Sequence, residues 1–189
     1  MTSFTAGTGY VCPECGLDYE TVKPLDTIRA VRSYPYRYRT LFKELYQQEP
    51  DAEGIMRRRP AEGTWSALEY TAHVAHMIDQ MAPTIRRIIV EDNPLIPSFD
   101  SEERVDVEGY NDLEITEALA RLESACADMG MTLDCLSAED WARTGQFTFG
   151  ERDALTMTRN AVHEGSHHLR DIEHILEPMR TYKPESDAW

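Results

Sequence analysis

An apolar stripe that returns every three or four residues runs through most of this chain, and it leaves little room for anything but long helices. Its clearest stretch is Tyr70, Val74, Met77, Ile78, Met81, Ile85 and Ile88, a period of about 3.6 residues. Ile115, Ala118, Leu119, Leu122, Cys126, Met129 and Leu133 repeat it. Ile28, Val31, Leu41, Phe42 and Leu45 carry it earlier, in a helix expected from about Asp26 to Gln48. Start signals frame these runs. Ser66-x-x-Glu69 is a capping box, and Trp65 before it can staple onto Tyr70. Glu114 marks a third start near Asn111, and Ser137-x-x-Asp140 opens a short helix through Trp141. Thr148-x-x-Glu151 reads as the cap of a fourth long helix that continues to about Leu176 and stops at Pro178. Pro35 and Pro83 predict kinks. Four long helices with hardly any strand signal give an all-α fold, a four-helix bundle.

The expected organisation is an irregular cysteine-bearing arm over residues 1–25, the bundle over 26–177 and a tail over 178–189. The stretch from Asn93 to Gly109 is a long polar connection. With 189 residues, 41% of them apolar, the chain can bury a real core. Its net charge of -15 argues against nucleic acid and against an anionic membrane surface. The early basic residues Arg29, Arg32, Arg37, Arg39, Lys43, Arg57, Arg58 and Arg59 read as a solvated face paired with nearby acids, or as an anion site for a small substrate. No apolar run reaches the length of a membrane span, and Met1 to Tyr10 lacks a secretory pattern. The expected compartment is the cytoplasm, where the four cysteines are thiols or metal ligands.

Three histidines carry the chemistry. His163 and His167 lie four residues apart, hence about 40° apart around a helix, so both rings can reach one atom. His73 can add a third nitrogen from a facing helix. Three neutral imidazoles with an open position suit a catalytic divalent metal. The bland alternative is hydrogen-bonded core or surface histidines. His76 could compete with His73, whereas His168 should face away from His163 and His174 lies too far along the axis. Asp79 and Glu69 are candidate carboxylates behind His73. Glu164 points about 100° away from its neighbouring ligand, and no general base is assigned. Cys12-Pro13-Glu14-Cys15-Gly16 resembles one half of a zinc site. Three readings stay open for it: zinc shared with histidines such as His168 or His174 or with a partner subunit, a redox pair, or no metal. Cys126 falls on the core stripe and reads as a small hydrophobe.

Together, Trp65-Ser66-x6-His73-Val74, Trp141 in Ala138-Glu139-Asp140-Trp141, and the run from Ala161 to Ile172 containing His163-Glu164-Gly165-Ser166-His167-His168 resemble a DinB-like domain. The resemblance covers about residues 26–177. It implies a bundle with an up-down-down-up path and a divalent metal, zinc or nickel, on His73, His163 and His167. It also implies a homodimer and a small-molecule substrate. Several members use a low-molecular-weight thiol such as mycothiol or bacillithiol as cosubstrate. The function expected on this basis is transfer of such a thiol to a small electrophile. Hydrolysis, isomerisation and a non-catalytic metal-binding or interaction module are the alternatives. The arm, with its candidate structural zinc at Cys12 and Cys15, departs from the family pattern.

Overall fold

The computed structural model describes residues 7, 9–97 and 102–180. Four long helices dominate: α1 (Pro24–Gln48), α3 (Ala67–Val90), α5 (Ile115–Asp134) and α6 (Ala154–Arg180). Two short ones, α2 (Ala52–Arg57) and α4 (Glu102–Val107), interrupt the connections. In the main helix packing, α1 and α3 each lie against both α5 and α6. The protein is thus an all-α four-helix bundle.

The local signals explain the helix starts. Ser66 Oγ accepts from the Glu69 N–H at 3.2 Å, and Glu69 accepts from the Ser66 N–H at 2.8 Å. Trp65 and Tyr70 form the expected staple, with ring centroids 5.4 Å apart. Glu69 also takes the Arg59 guanidinium, so the cap occupies it fully. α1 starts two residues earlier than expected because Pro24 suits the first helical turn. Both α1 and α3 run continuously through Pro35 and Pro83. The α3 stripe from Val74 to Ile88 is buried.

The start of α6 differs from expectation. Thr148 and Glu151 belong to a hairpin in which β1 (Thr144–Phe147) pairs antiparallel with β2 (Gly150–Asp153). Alternation around Phe147, which is buried, and a glycine after Phe149 favour a turn over a cap. α6 begins at Ala154 instead, with Asp153 Oδ1 accepting from the Thr156 N–H at 2.7 Å. Pro178 does not stop it, since the helix continues to Arg180. The expected tail lies, beyond that residue, outside the described residues. No helix among the described residues is long and apolar enough to cross a membrane.

Two tyrosines fix how α1 meets α6. Tyr34 donates its hydroxyl to the Val162 carbonyl at 2.8 Å, and Tyr38 donates to the Gly165 carbonyl at 2.9 Å. Both rings are fully buried. Gly165 permits this approach: a Cβ there would lie 2.3 Å from a Tyr34 ring carbon. The close contact falls in the middle of the histidine-rich stretch of α6, and so sets that stretch against α1.

Candidate metal centres on α6

α6 presents two pairs of candidate ligand residues, one residue out of step. His163 and His167 lie on one line along the helix, Glu164 and His168 on the next, about 100° around the axis. The two lines meet different partners.

The Glu164 line faces α3. Glu164 Oε2 lies 3.2 Å from His73 Nε2 and 3.2 Å from His168 Nε2. His73 and Glu164 are buried, and His168 retains 17% of its side-chain exposure. One donor atom from each of the three lies within 4.8 Å of the others. Trp65 packs on His73 with centroids 4.8 Å apart, and Tyr70 stacks on His168 at 4.9 Å. On its far side His168 meets Asp171, with Nδ1 2.8 Å from the carboxylate. That contact holds a hydrogen on Nδ1, so a metal ion that displaces the Nε2 proton would meet a lone pair there.

The His163 line faces the N-terminal arm. Cys12, Cys15, His163 and His167 each offer a donor atom, all within 4.8 Å of one another. Arm residues 10–19 form a tight loop in which Val11 bridges Asp18 and the Tyr19 N–H donates to the Tyr10 carbonyl at 3.0 Å. Gly16 makes the turn possible, at φ +76°. Tyr19 is fully buried between the arm and α6. Arg159 fastens the end of the arm by donating twice to the Val22 carbonyl, at 3.0 and 2.9 Å.

Electrostatics separate the two clusters as well. Burial pulls the His163 pKa down to about 4, so the ring is neutral at pH 7. Burial works against a charged His168 too, but its hydrogen bonds with Asp171 and Glu164 prevail and raise it to about 9. Burial would raise the Glu164 carboxyl, yet the His168 and His73 contacts hold it well below the usual carboxylate range. In the arm, burial acts to raise the Cys12 thiol, but the backbone N–H groups of Cys15 and Glu14 outweigh it and leave it lowered. Burial pushes Cys15 up to about 11.

The structure therefore does not bring the three predicted ligands together. His73 meets Glu164 and His168, while His163 and His167 turn toward Cys12 and Cys15. The reason is the rotation of α6 about its axis, fixed by Tyr34 and Tyr38, which turns positions 164 and 168 rather than 163 and 167 to α3. His168 was expected to face away from His163, as it does; that it would meet His73 was not foreseen. The cysteines pair with His163 and His167 rather than with His168, and His174 is exposed. His76 lies near Tyr110, with ring centroids 6.5 Å apart. Asp79 is exposed. Cys126 is a buried core residue whose thiol burial raises to about 12. Two signals were present in the sequence. Glu164-x3-His168 has the same spacing as His163-x3-His167. Cys-x2-Cys with His-x3-His is a zinc-ligand spacing, here split between the two ends of the chain. Among the early basic residues, Arg32 pairs with Asp134, Arg39 with Glu123 and Arg59 with Glu69 and Asp106. These are the acid partners of the solvated-face reading.

Comparison with known proteins gives the same frame. A family model described as DinB superfamily matches residues 34–172. Among solved structures, YfiT from Bacillus subtilis, described as a probable metal-dependent hydrolase with an unusual four-helix bundle topology, superposes with a TM-score of 0.70 at 15% identity. The match covers 85% of this chain and 89% of that one. A mycothiol-dependent maleylpyruvate isomerase superposes with a TM-score of 0.62 at 15% identity, over 82% of this chain. This chain spans 62% of the isomerase's length. No curated protein sequence matches.

Proposed function

The chain belongs to the DinB superfamily, and from that premise we propose that it is a metal-dependent enzyme whose divalent ion is held by His73, Glu164 and His168. The observation that carries the reading is the convergence of two imidazole nitrogens on one buried carboxylate oxygen, each at 3.2 Å. Two imidazoles and a carboxylate form the protein donor set of catalytic zinc in several hydrolytic enzymes, which leaves a position for water or substrate. When bound, a divalent ion supplies Lewis acidity, lowering the pKa of a coordinated water or thiol and polarising a carbonyl.

The chain's own residues prepare that site. Asp171 orients His168 and fixes its tautomer. Trp65 and Tyr70 wall the cluster with aromatic faces, which limits competing water. Glu164 brings a negative charge, so the bound ion keeps less net charge than on three imidazoles. That donor set, with the likeness to a probable metal-dependent hydrolase over 89% of its length, favours hydrolysis of a small carbonyl substrate. Transfer of a low-molecular-weight thiol to a small electrophile is the second reading, supported by the likeness to a mycothiol-dependent isomerase. The net charge of -15 points to a small-molecule substrate rather than a nucleic acid.

The test is metal content by mass spectrometry, with turnover of activated esters and of thiol–electrophile pairs, for wild type and His73→Ala. The expected result is loss of one metal equivalent and of ester hydrolysis in the variant. Full metal in His73→Ala would overturn the site. Metal-dependent thiol conjugation without ester hydrolysis would move the assignment to the second reading.

A further inference from the structure

We propose that Cys12, Cys15, His163 and His167 form a second, closed metal site that holds structural zinc and clamps the N-terminal arm onto α6. It is distinct from the His73–Glu164–His168 centre and independent of what that centre catalyses.

The distances carry the proposal. Cys12 Sγ and His167 Nδ1 lie 3.6 Å apart. That is long for a hydrogen bond, yet a sulfur and a nitrogen held tetrahedrally at about 2.3 and 2.05 Å from one zinc ion sit about 3.6 Å from each other. The other two donors lie within the same 4.8 Å group. The Cys15 N–H points at Cys12 Sγ across 3.5 Å, and the Gly16 N–H closes the turn on the Cys12 carbonyl at 2.9 Å. A loop built this way brings both sulfurs to one side and stabilises a thiolate.

The histidines are prepared by their other nitrogens. Tyr19 donates its hydroxyl to Asn160 Oδ1 at 2.8 Å, so toward His163 Nδ1, 3.2 Å away, it can only accept. The His163 hydrogen therefore sits on Nδ1, and Nε2 carries a free lone pair. His163 Nε2 is buried with no hydrogen-bond partner among the described residues. A buried acceptor without a partner is unfavourable, and a metal ion in the adjoining group of donors would satisfy it. His167 uses the opposite nitrogen: Nδ1 faces Cys12, and Nε2 lies 3.3 Å from Glu14. Each ring thus has one nitrogen for the metal and one for a support, the usual arrangement behind a ligand histidine.

Two thiolates and two neutral imidazoles match zinc's charge and its tetrahedral preference, and four protein donors leave no position for substrate. Binding releases the two thiol protons to solvent and involves no redox step. The site ties residues 12–15 to positions 163 and 167, which flank Glu164 and His168. It holds α6 beside the face that presents Glu164 and His168, the inner donors that meet α3.

Cobalt reports this directly. Full-length protein refolded from chelator with cobalt(II) should show thiolate-to-cobalt charge-transfer absorption in the near ultraviolet and the intense visible bands of a four-coordinate ion. The Cys12→Ser/Cys15→Ser variant should lose those features and one of two zinc equivalents. His73→Ala should lose the other equivalent and keep the thiolate spectrum. Absence of the charge-transfer band in wild type would overturn the proposal even if the double variant fails to fold. So would a folded double variant, by circular dichroism, that retains two equivalents.

Discussion

The two sides of one helix bear the same kind of residue at the same spacing and meet different fates. His163 and His167 are enclosed by two cysteines from the other end of the chain. Glu164 and His168, one residue further on, meet a single histidine from α3. Four protein donors make a closed site and three make an open one. A shift of one residue along α6 thus separates a centre suited to holding the structure from one suited to chemistry.

Removing a donor from the inner side should give the largest effect that distinguishes the two. Glu164→Ala should lose the inner metal and at least about 100-fold of activity, since even supporting residues behind a ligand are worth about 10–100-fold. The cobalt–thiolate spectrum of the outer side should persist. If it vanished as well, the two sides would be one site. Gly165→Ala comes next, because it disturbs both sides at once. Its Cβ would lie 2.3–2.8 Å from three Tyr34 ring atoms, and relief of such overpacking costs about 1–3 kcal/mol. Thermal denaturation should record a lower midpoint with and without metal, and an unchanged midpoint would remove Tyr34 as the element that sets the rotation of α6.

Two conservative variants sharpen the contrast. Tyr19→Phe removes the support of His163 and should weaken the outer metal about 10-fold or more, leaving the inner one unchanged. Asp171→Asn should weaken the inner metal more than the outer one, since Asp171 Oδ2 lies 2.8 Å from His168 Nδ1 and 3.7 Å from His167 Nε2. Competition with a chromophoric chelator reads both, and equal weakening of both metals in either variant would deny the separation.

The smallest effects are in the pH dependence of the metal-free protein. His168 has its folded pKa raised to about 9, against about 6.5 unfolded. Its contribution is complete below about 6.5 and is lost as pH rises toward 9. His163 is lowered to about 4, so its contribution is present above about 6.5 and is lost as pH falls toward 4. The melting midpoint in chelator should therefore fall on both sides of neutrality. His163→Gln should flatten the acid limb alone and His168→Gln the alkaline limb alone. Identical profiles in all three proteins would separate these histidines from the stability.

Much of the bundle is legible without coordinates, because a helix has to bury one stripe and Ser66 and Glu69 have to satisfy its first amides. The hairpin at 144–153 was hidden, since Thr148-x-x-Glu151 imitates a cap and only the pairing of Thr144 with Asp153 reveals otherwise. Tyr34 and Tyr38 lie buried on the α1 stripe, but that their hydroxyls donate to carbonyls of a helix over a hundred residues away is not written in the period.

The sequence by itself determined that α6 carries two ligand pairs, since a separation of four residues is one helical turn wherever the helix is placed. It also determined that the arm carries a thiol pair on a glycine-permitted turn. Which pair faces which partner was decided only by tertiary structure. The rotation of α6 about its own axis follows from the packing of Tyr34 over Gly165 and from the docking of Tyr19 and Val22. Such long-range contacts leave no period in the chain, and a helix turned by about 100° has the same local sequence.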